Sequence, residues 1–275
     1  MSIKSGARAD VLNFYKSLPF NASQTPEMAA ELIKKSNEVS VIYPDENDLY
    51  DAETVLELGC GTGWMSNSIA YYYGAKVTAV DFNPVAIESA QKVAELLGND
   101  CRFNCGDLFT FECEPQDVVI SNGVLHHTSE CMGGVQKCIS LTKPGGKIFI
   151  GLYHKYGRKA FLDYFAKLKN EDIDESLLME KYRDLDNRHE DEIQAKSWFL
   201  DQVLHPYETQ HTLKEVMEVF QRNNVQLIST SINMYEPEFS LEQLYIQEKE
   251  LYDVGLQELK KGKYYPGFFY VLGKR

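Results

Sequence analysis

Five residues, Thr54-Val55-Leu56-Glu57-Leu58, run without a break into Gly59-Cys60-Gly61-Thr62-Gly63. A short apolar strand that ends in glycines and opens a helix, here 64–73, places a ligand at the carboxyl edge of a parallel sheet. The glycines let backbone approach the ligand, because no Cβ intervenes. The helix start adds free N–H groups and a partial positive charge. Such a place suits a phosphate or the carboxylate end of an amino-acid-like cofactor.

The rhythm continues downstream. Lys76-Val77-Thr78-Ala79-Val80-Asp81 reads as a second strand closed by an acid. Asn83 then caps a helix with Pro84 in its first turn, and Gly98 ends it. Residues 101–105 form a third strand and 117–121 a fourth, whose Val118-Val119-Ile120 suits burial on both faces. A helix over 133–141 and the turn Lys143-Pro144-Gly145-Gly146 lead to a fifth strand, 147–153. Thr212 and Glu215 make a capping box for a later helix, followed by strands at 225–232 and 268–272. Strands alternating with helices imply βαβ units, so the expected fold is α/β, a doubly wound, mostly parallel seven-stranded sheet.

The expected organisation is a helical elaboration over 1–50, a cofactor-binding core over 51–153, a helical insertion or lid over 154–210, and completion of the sheet over 211–275. Val11, Leu12 and Tyr15, and then Met28, Leu32 and Ile33, recur at helical spacing in the first segment. Phe161, Leu162 and Phe165, with Trp198, Phe199 and Val203, mark apolar faces in the insertion.

The formal net charge of −13 disfavours a nucleic-acid partner, since binders of phosphate usually carry a positive field. The hydrophobic share of 44% is that of a globular protein, and no apolar run approaches the ~20 residues of a membrane helix. Residues 1–10 lack the apolar stretch of a secretory signal. None of the six cysteines forms a C-x-x-C pair, so zinc spacing is absent and reduced thiols are expected. The expectation is a cytoplasmic, non-membrane protein with a small-molecule partner and the possibility of a homodimer.

Spacing chooses between the two ligand classes. A dinucleotide fingerprint is G-x-G-x-x-G. Here Gly59, Gly61 and Gly63 are followed by Trp64, whose indole replaces the glycine needed for close packing. E-L-G-C-G-T-G resembles motif I of the class I S-adenosylmethionine-dependent methyltransferases, and further similarities follow in order. Asp81 matches the acid that binds the ribose hydroxyls, and Phe82 the side chain near the adenine. Gly106-Asp107-Leu108 matches the motif whose acid meets the adenine amino group. Residues 117–122, ending in Asn122, match the fourth-strand motif beside the methionine part. Pro144-Gly145-Gly146 matches the turn before the fifth strand. The resemblance implies S-adenosylmethionine as cofactor, S-adenosylhomocysteine as product, and Glu57, Gly59, Cys60, Gly61, Gly63, Asp81, Phe82, Asp107, Leu108 and Asn122 as cofactor-binding residues.

Methyl transfer of this kind is an in-line displacement, so the protein mainly positions, aligns and excludes water. The acceptor is expected to be a small or medium-sized organic molecule, methylated at oxygen or nitrogen rather than carbon. Candidate catalytic residues are His126 and His127 after the fourth strand, Tyr153 and His154 after the fifth, and His205, Tyr207 or His211 in the polar segment 201–211. Tyr15, Phe20 and Tyr43 are candidates to line a lid. Adjacent histidines chelate a metal only with further ligands, and none is evident, so no metal is expected. Three alternatives stay open: a non-catalytic module for the cofactor or its product, a tRNA or protein methyltransferase, and a nicotinamide-dependent oxidoreductase.

Overall fold

The computed structural model describes residues 8–20, 25–171, 173–188 and 191–275. Residues 1–7 of the segment read for a secretory signal lie outside them. Four helices, α1 (Ala9–Ser17), α2 (Pro26–Lys35), α3 (Val39–Ile42) and α4 (Asn47–Tyr50), precede the sheet. The core then alternates β1 (Thr54–Leu58), α5 (Trp64–Tyr73), β2 (Lys76–Asp81), α6 (Pro84–Leu97), β3 (Cys101–Cys105), β4 (Gln116–Asn122), α7 (Cys131–Ser140) and β5 (Thr142–Tyr153). Helices α8 (Lys155–Asn170), α9 (Glu175–Leu185) and α10 (Glu192–Leu204) follow. The chain closes with α11 (Leu213–Arg222), β6 (Gln226–Thr230), α12 (Leu241–Lys260) and β7 (Phe268–Lys274).

The seven strands lie in the order β3-β2-β1-β4-β5-β7-β6. Pairing is parallel except at β7, which runs antiparallel to both neighbours. The order reverses between β1 and β4, and ligands of open α/β sheets bind outside the carboxyl ends of strands at such a switch point. The glycine turn after β1 and the 122–127 segment after β4 flank that crevice.

Both sheet faces are buried. Leu56, Leu58, Val119, Ile148 and Ile150 pack with Val135, Cys138, Val216 and Phe220. Val55, Val118, Ile120 and Phe149 pack with Val39, Leu49, Met65 and Ile69. Asn83 accepts a hydrogen bond from the Val85 N–H, and Thr212 and Glu215 form the reciprocal capping box.

Three expectations are corrected. Of Met28, Leu32 and Ile33, only Ile33 is buried, together with Ala30; Met28 and Leu32 are exposed. Tyr43 lines no lid, because its ring packs in the core 4.9 Å from Phe149. Helix α12 stands where the strand-helix reading has no element. Its Leu241, Leu244, Tyr245 and Leu251 recur at helical spacing and pack on the core, while Glu248 and Gly255 interrupt that buried stripe with a charge and a glycine. The 154–210 segment is tied to this helix: a Cβ on Gly255 would stand 3.1 Å from Ala160 on α8.

Candidate functional site

The cofactor edge is built from tight turns. The Gly59 and Cys60 N–H groups donate to the Val80 carbonyl at 2.7 and 3.1 Å, pinning the turn to the end of β2. Gly59 has φ +82°, and a Cβ there would meet Val124 Cγ1 at 2.4 Å. Gly63 has φ +75°, and a Cβ there would lie 2.6 Å from Ala90. Close helix packing therefore falls at Gly63, one residue before Trp64. At Gly61 a Cβ would meet nothing within 4 Å, so this part of the turn faces open space.

Asp81 stands at the carboxyl end of β2. Its Oδ2 accepts the Gly61 N–H at 2.9 Å and its Oδ1 accepts the Asn83 N–H at 2.8 Å. Burial raises its carboxyl above the usual range, and these backbone donors pull it back. Each oxygen keeps a further acceptor direction for a hydroxyl. Phe82, partly buried, follows. Asp107 Oδ1 accepts the Phe109 N–H at 2.9 Å, which makes a local turn, and Leu108 packs into the core. Asn122 closes β4, with its Oδ1 beside the Cα of Gly151: a Cβ there would approach it to 2.6 Å.

Glu57 takes a different place from the one expected. Its side chain is 3% exposed and accepts a hydrogen bond from Ser66 Oγ on α5, beneath the glycine turn. Burial pushes its carboxyl up to about 8, against the pull of Ser66. The folded chain therefore holds an extra proton between the ordinary 4.5 and about 8. That contribution to stability is complete at the acid end and is lost as pH rises through this window. Glu57→Gln should be insensitive to it. In urea unfolding, its advantage over the wild type is expected to grow by about 1.4 kcal/mol per pH unit across the window. Parallel stability profiles would refute a raised Glu57 carboxyl.

A second cluster forms where the 3₁₀ turn Leu125–His127, the end of β5, the end of α10 and the loop 205–211 meet. His127 Nδ1 lies 3.0 Å from the Tyr207 carbonyl. A carbonyl only accepts, so Nδ1 carries the proton and Nε2 keeps its lone pair. The Tyr207 N–H donates to His205 Nδ1 at 3.1 Å, so His205 carries its proton on Nε2. One residue's peptide groups thus fix opposite tautomers on two rings whose centroids are 3.8 Å apart. Burial first, and His127 second, lower the His205 pKa to about 2.

Asp201 completes the cluster. Its Oδ1 is 3.8 Å from His127 Nε2 and accepts a hydrogen bond from the Tyr15 hydroxyl. Its Oδ2 accepts from Tyr153 at 3.2 Å and from Gln202 Nε2 at 2.7 Å. Arg158, fully buried, bonds the Gln202 carbonyl and both Glu208 oxygens, and its guanidinium sits 4.0 Å from the Tyr153 ring centre.

The structure separates the histidines. His126 is buried against Tyr153, its Nδ1 accepts the Tyr153 N–H at 3.3 Å, and burial drives its pKa well below 6.5. His154 is a scaffold residue: its Nδ1 caps α8 at the Gly157 N–H and its Nε2 faces Glu248 on α12 at 3.1 Å. With both nitrogens engaged, it has none for acid–base work. His211 bonds Thr209 and bridges to the end of β5. Phe20 meets Trp198. Asp201 and Gln202 were not singled out from the sequence; the signal available was their place in the polar 201–211 segment.

The reading that no further ligands stand near the histidine pair is also corrected. His127, Asp201 and His205 each bring a ligand-type atom within 4.8 Å of the others. Their hydrogen bonds nevertheless suit protons rather than an ion. His205 Nδ1 is taken by the Tyr207 N–H and its Nε2 is protonated, so neither nitrogen offers a free lone pair.

Comparisons with known proteins agree with this architecture. The family model for a methyltransferase domain matches residues 49–174. The ubiquinone biosynthesis O-methyltransferase of Coxiella burnetii is 30% identical over 128 residues, covering 46% of this chain and 54% of that protein. Its counterpart in Methylocella silvestris is 36% identical over 97 residues, 34% of this chain and 38% of that one. The chain thus spans about half the length of the C. burnetii relative. Among solved structures, PKMT2 from Rickettsia typhi aligns with a TM-score of 0.59 at 16% identity, over 93% of this chain and 53% of that one. Magnesium protoporphyrin IX methyltransferase from Synechocystis PCC 6803, with bound SAH, aligns at 0.52 and 17% identity, over 90% and 82%. Among the described residues no helix is long and apolar enough to cross a membrane.

Proposed function

We propose that the chain is a member of the class I S-adenosylmethionine-dependent methyltransferase family, as its match to a methyltransferase-domain model over residues 49–174 supports, and that it transfers a methyl group to oxygen or nitrogen of a small organic acceptor. The observation that carries this reading is the adjacency of two built surfaces. A half-buried acid, Asp81, is locked to the glycine turn, and a tautomer-defined imidazole, His127, faces Asp201 across the switch point.

The residues present fit the cofactor. Gly61 faces open space, and Asp81 retains acceptor capacity for a ribose diol. Asp81, Phe82, Asp107, Leu108, Asn122 and the glycine turn would hold it. When bound, S-adenosylmethionine supplies an electrophilic methyl group on a good leaving group. His127 Nε2 is the group able to take the acceptor's proton. The resulting imidazolium keeps its Nδ1–H on the Tyr207 carbonyl and faces the Asp201 carboxylate. Tyr153 and Gln202 orient that carboxylate. A small acceptor, rather than nucleic acid, suits the net charge of −13, and six unpaired thiols suit a cytoplasmic setting.

Calorimetric titration with S-adenosylhomocysteine tests the cofactor half. Asp81→Ala is expected to weaken binding by about 10- to 150-fold, the scale of hydrogen bonds to a charged group. Failure of the folded wild type to bind either S-adenosylmethionine or S-adenosylhomocysteine would refute the proposal. Label from S-adenosylmethionine appearing only in RNA or protein of a cell extract would refute the acceptor class.

A further inference from the structure

Tyr15 occupies the cluster that the methyl-transfer reading gives to the acceptor. Its hydroxyl donates to Asp201 Oδ1, and its ring lies 5.4 Å from that of His205 and edge-on to that of His127 at 6.4 Å. Burial first, and Asp201 second, hold this phenol protonated. Its carbonyl accepts from Asn83 Nδ2 at 3.0 Å, two residues beyond Asp81. Tyr15 therefore bonds to the turn after the cofactor acid through its backbone and to Asp201 beside the base through its phenol.

Two further observations define what this arrangement lacks and how firmly it is held. His205 Nε2 is buried with no hydrogen-bond partner among the described residues, and its tautomer makes it a donor. Tyr15 satisfies Asp201 but gives His205 nothing to donate to. Helix α1 is also lightly attached. Among its described side chains Val11 alone lies below 9% exposure; Tyr15 bonds Asn83 and Asp201, Phe14 packs edge-on to His205 at 5.0 Å, and the neighbouring Arg8 guanidinium lies 3.9 Å from the Tyr207 ring centre. Segments with few buried apolar contacts open locally at low free energy.

We propose that Tyr15 is an internal stand-in for the acceptor, and that the acceptor is a ring hydroxyl flanked by a second hydrogen-bond-accepting atom. This rests on the methyl-transfer reading above. A planar phenol fits because the chain's own phenol already does. The flanking atom accepts from His205 Nε2, a ring nitrogen of His205 lying within 4.8 Å of an Asp201 oxygen. An acceptor that satisfies both groups displaces Tyr15, which satisfies one, and α1 withdraws. In the transfer step the phenolic oxygen bonds to the methyl carbon as the S–CH₃ bond breaks. The electron pair stays on sulfur, and the phenolic proton passes to His127 Nε2.

Calorimetry on the wild type saturated with S-adenosylhomocysteine, with 2-methoxyphenol, phenol and cyclohexanol as probes, tests this. The expected order of affinity is 2-methoxyphenol, phenol, cyclohexanol, with about tenfold between the first two for the hydrogen bond to His205. Tyr15→Phe keeps the ring but frees Asp201, and should bind 2-methoxyphenol about tenfold tighter. Hydrogen exchange of residues 12–17 in the wild type should accelerate when 2-methoxyphenol binds. Cyclohexanol binding as tightly as 2-methoxyphenol, unchanged affinity in a folded Tyr15→Phe, or unchanged exchange would each overturn the proposal and leave the cofactor reading standing. Absence of S-adenosylhomocysteine binding would overturn the cofactor reading. The same probe order and Tyr15→Phe gain on the protein alone would then still decide the role of Tyr15.

Discussion

Asparagine at position 127 is expected to lower kcat by about 100- to 10,000-fold, the usual contribution of a positioned general base, while S-adenosylhomocysteine affinity stays within about twofold. The substitution is chosen for its geometry. Asparagine's amide can still donate to the Tyr207 carbonyl, as His127 Nδ1 does, so the loop 205–211 keeps its anchor. What disappears is the Nε2 lone pair that faces Asp201 at 3.8 Å. The neighbouring His126 cannot substitute, because its Nδ1 is occupied by the Tyr153 N–H and burial keeps its pKa well below 6.5. His205 cannot either, since its Nε2 already bears a proton. His205→Asn should therefore raise KM more than it lowers kcat. Steady-state kinetics with methyl-labelled cofactor separates the two variants. A His127→Asn enzyme with kcat within about threefold of wild type would show that the acceptor needs no base at this position.

The βαβ half of this molecule was legible because each element carries its own local signal. Val118-Val119-Ile120 reads as a strand buried on both faces and is one, and Asn83, Gly98, Thr212 and Glu215 cap helices where their chemistry calls for it. The glycine turn was legible for the same reason, since positive φ at Gly59 and Gly63 is written into the residue type. Side-chain direction was not. Glu57 sits in the motif as expected, yet its carboxyl turns under the turn to Ser66, nine residues on. His154 looked like a free base after a strand, and a glutamate 94 residues away claims it. The polar cluster joins Tyr15, His127, Asp201 and His205 from three distant stretches of chain. No periodicity in any one of them announces that meeting. The tautomers were out of reach altogether, because they depend on the peptide of Tyr207.

Methionine at position 158 is expected to destabilise the fold by about 3–5 kcal/mol, the cost of breaking a buried ion pair by removing one partner. Arg158 is fully buried, and its donors reach Glu208 at 2.9 and 3.2 Å, the Gln202 side chain and backbone at 2.9 Å, and the Pro266 carbonyl at 3.4 Å. Burial works against its charge, but Tyr153 and Glu208 outweigh it, so its pKa is raised. Methionine fills most of the same volume between Tyr153 and Phe161, which limits the cavity term. The loss then comes mainly from Glu208, left 13% exposed without its partner. The double variant Arg158→Met with Glu208→Gln removes that orphaned charge, so it should recover about half of the loss in urea unfolding. A single variant that loses less than about 1 kcal/mol would show the network to be dispensable for folding. The pair also has a chemical consequence. Gln202 holds Asp201 and Tyr153, and Glu208 follows the tautomer-setting Tyr207, so Arg158 braces both sides of the histidine–aspartate cluster. The double variant, though folded, should therefore show a reduced kcat. Equal kcat in the wild type and the double variant would confine Arg158 to a purely structural role.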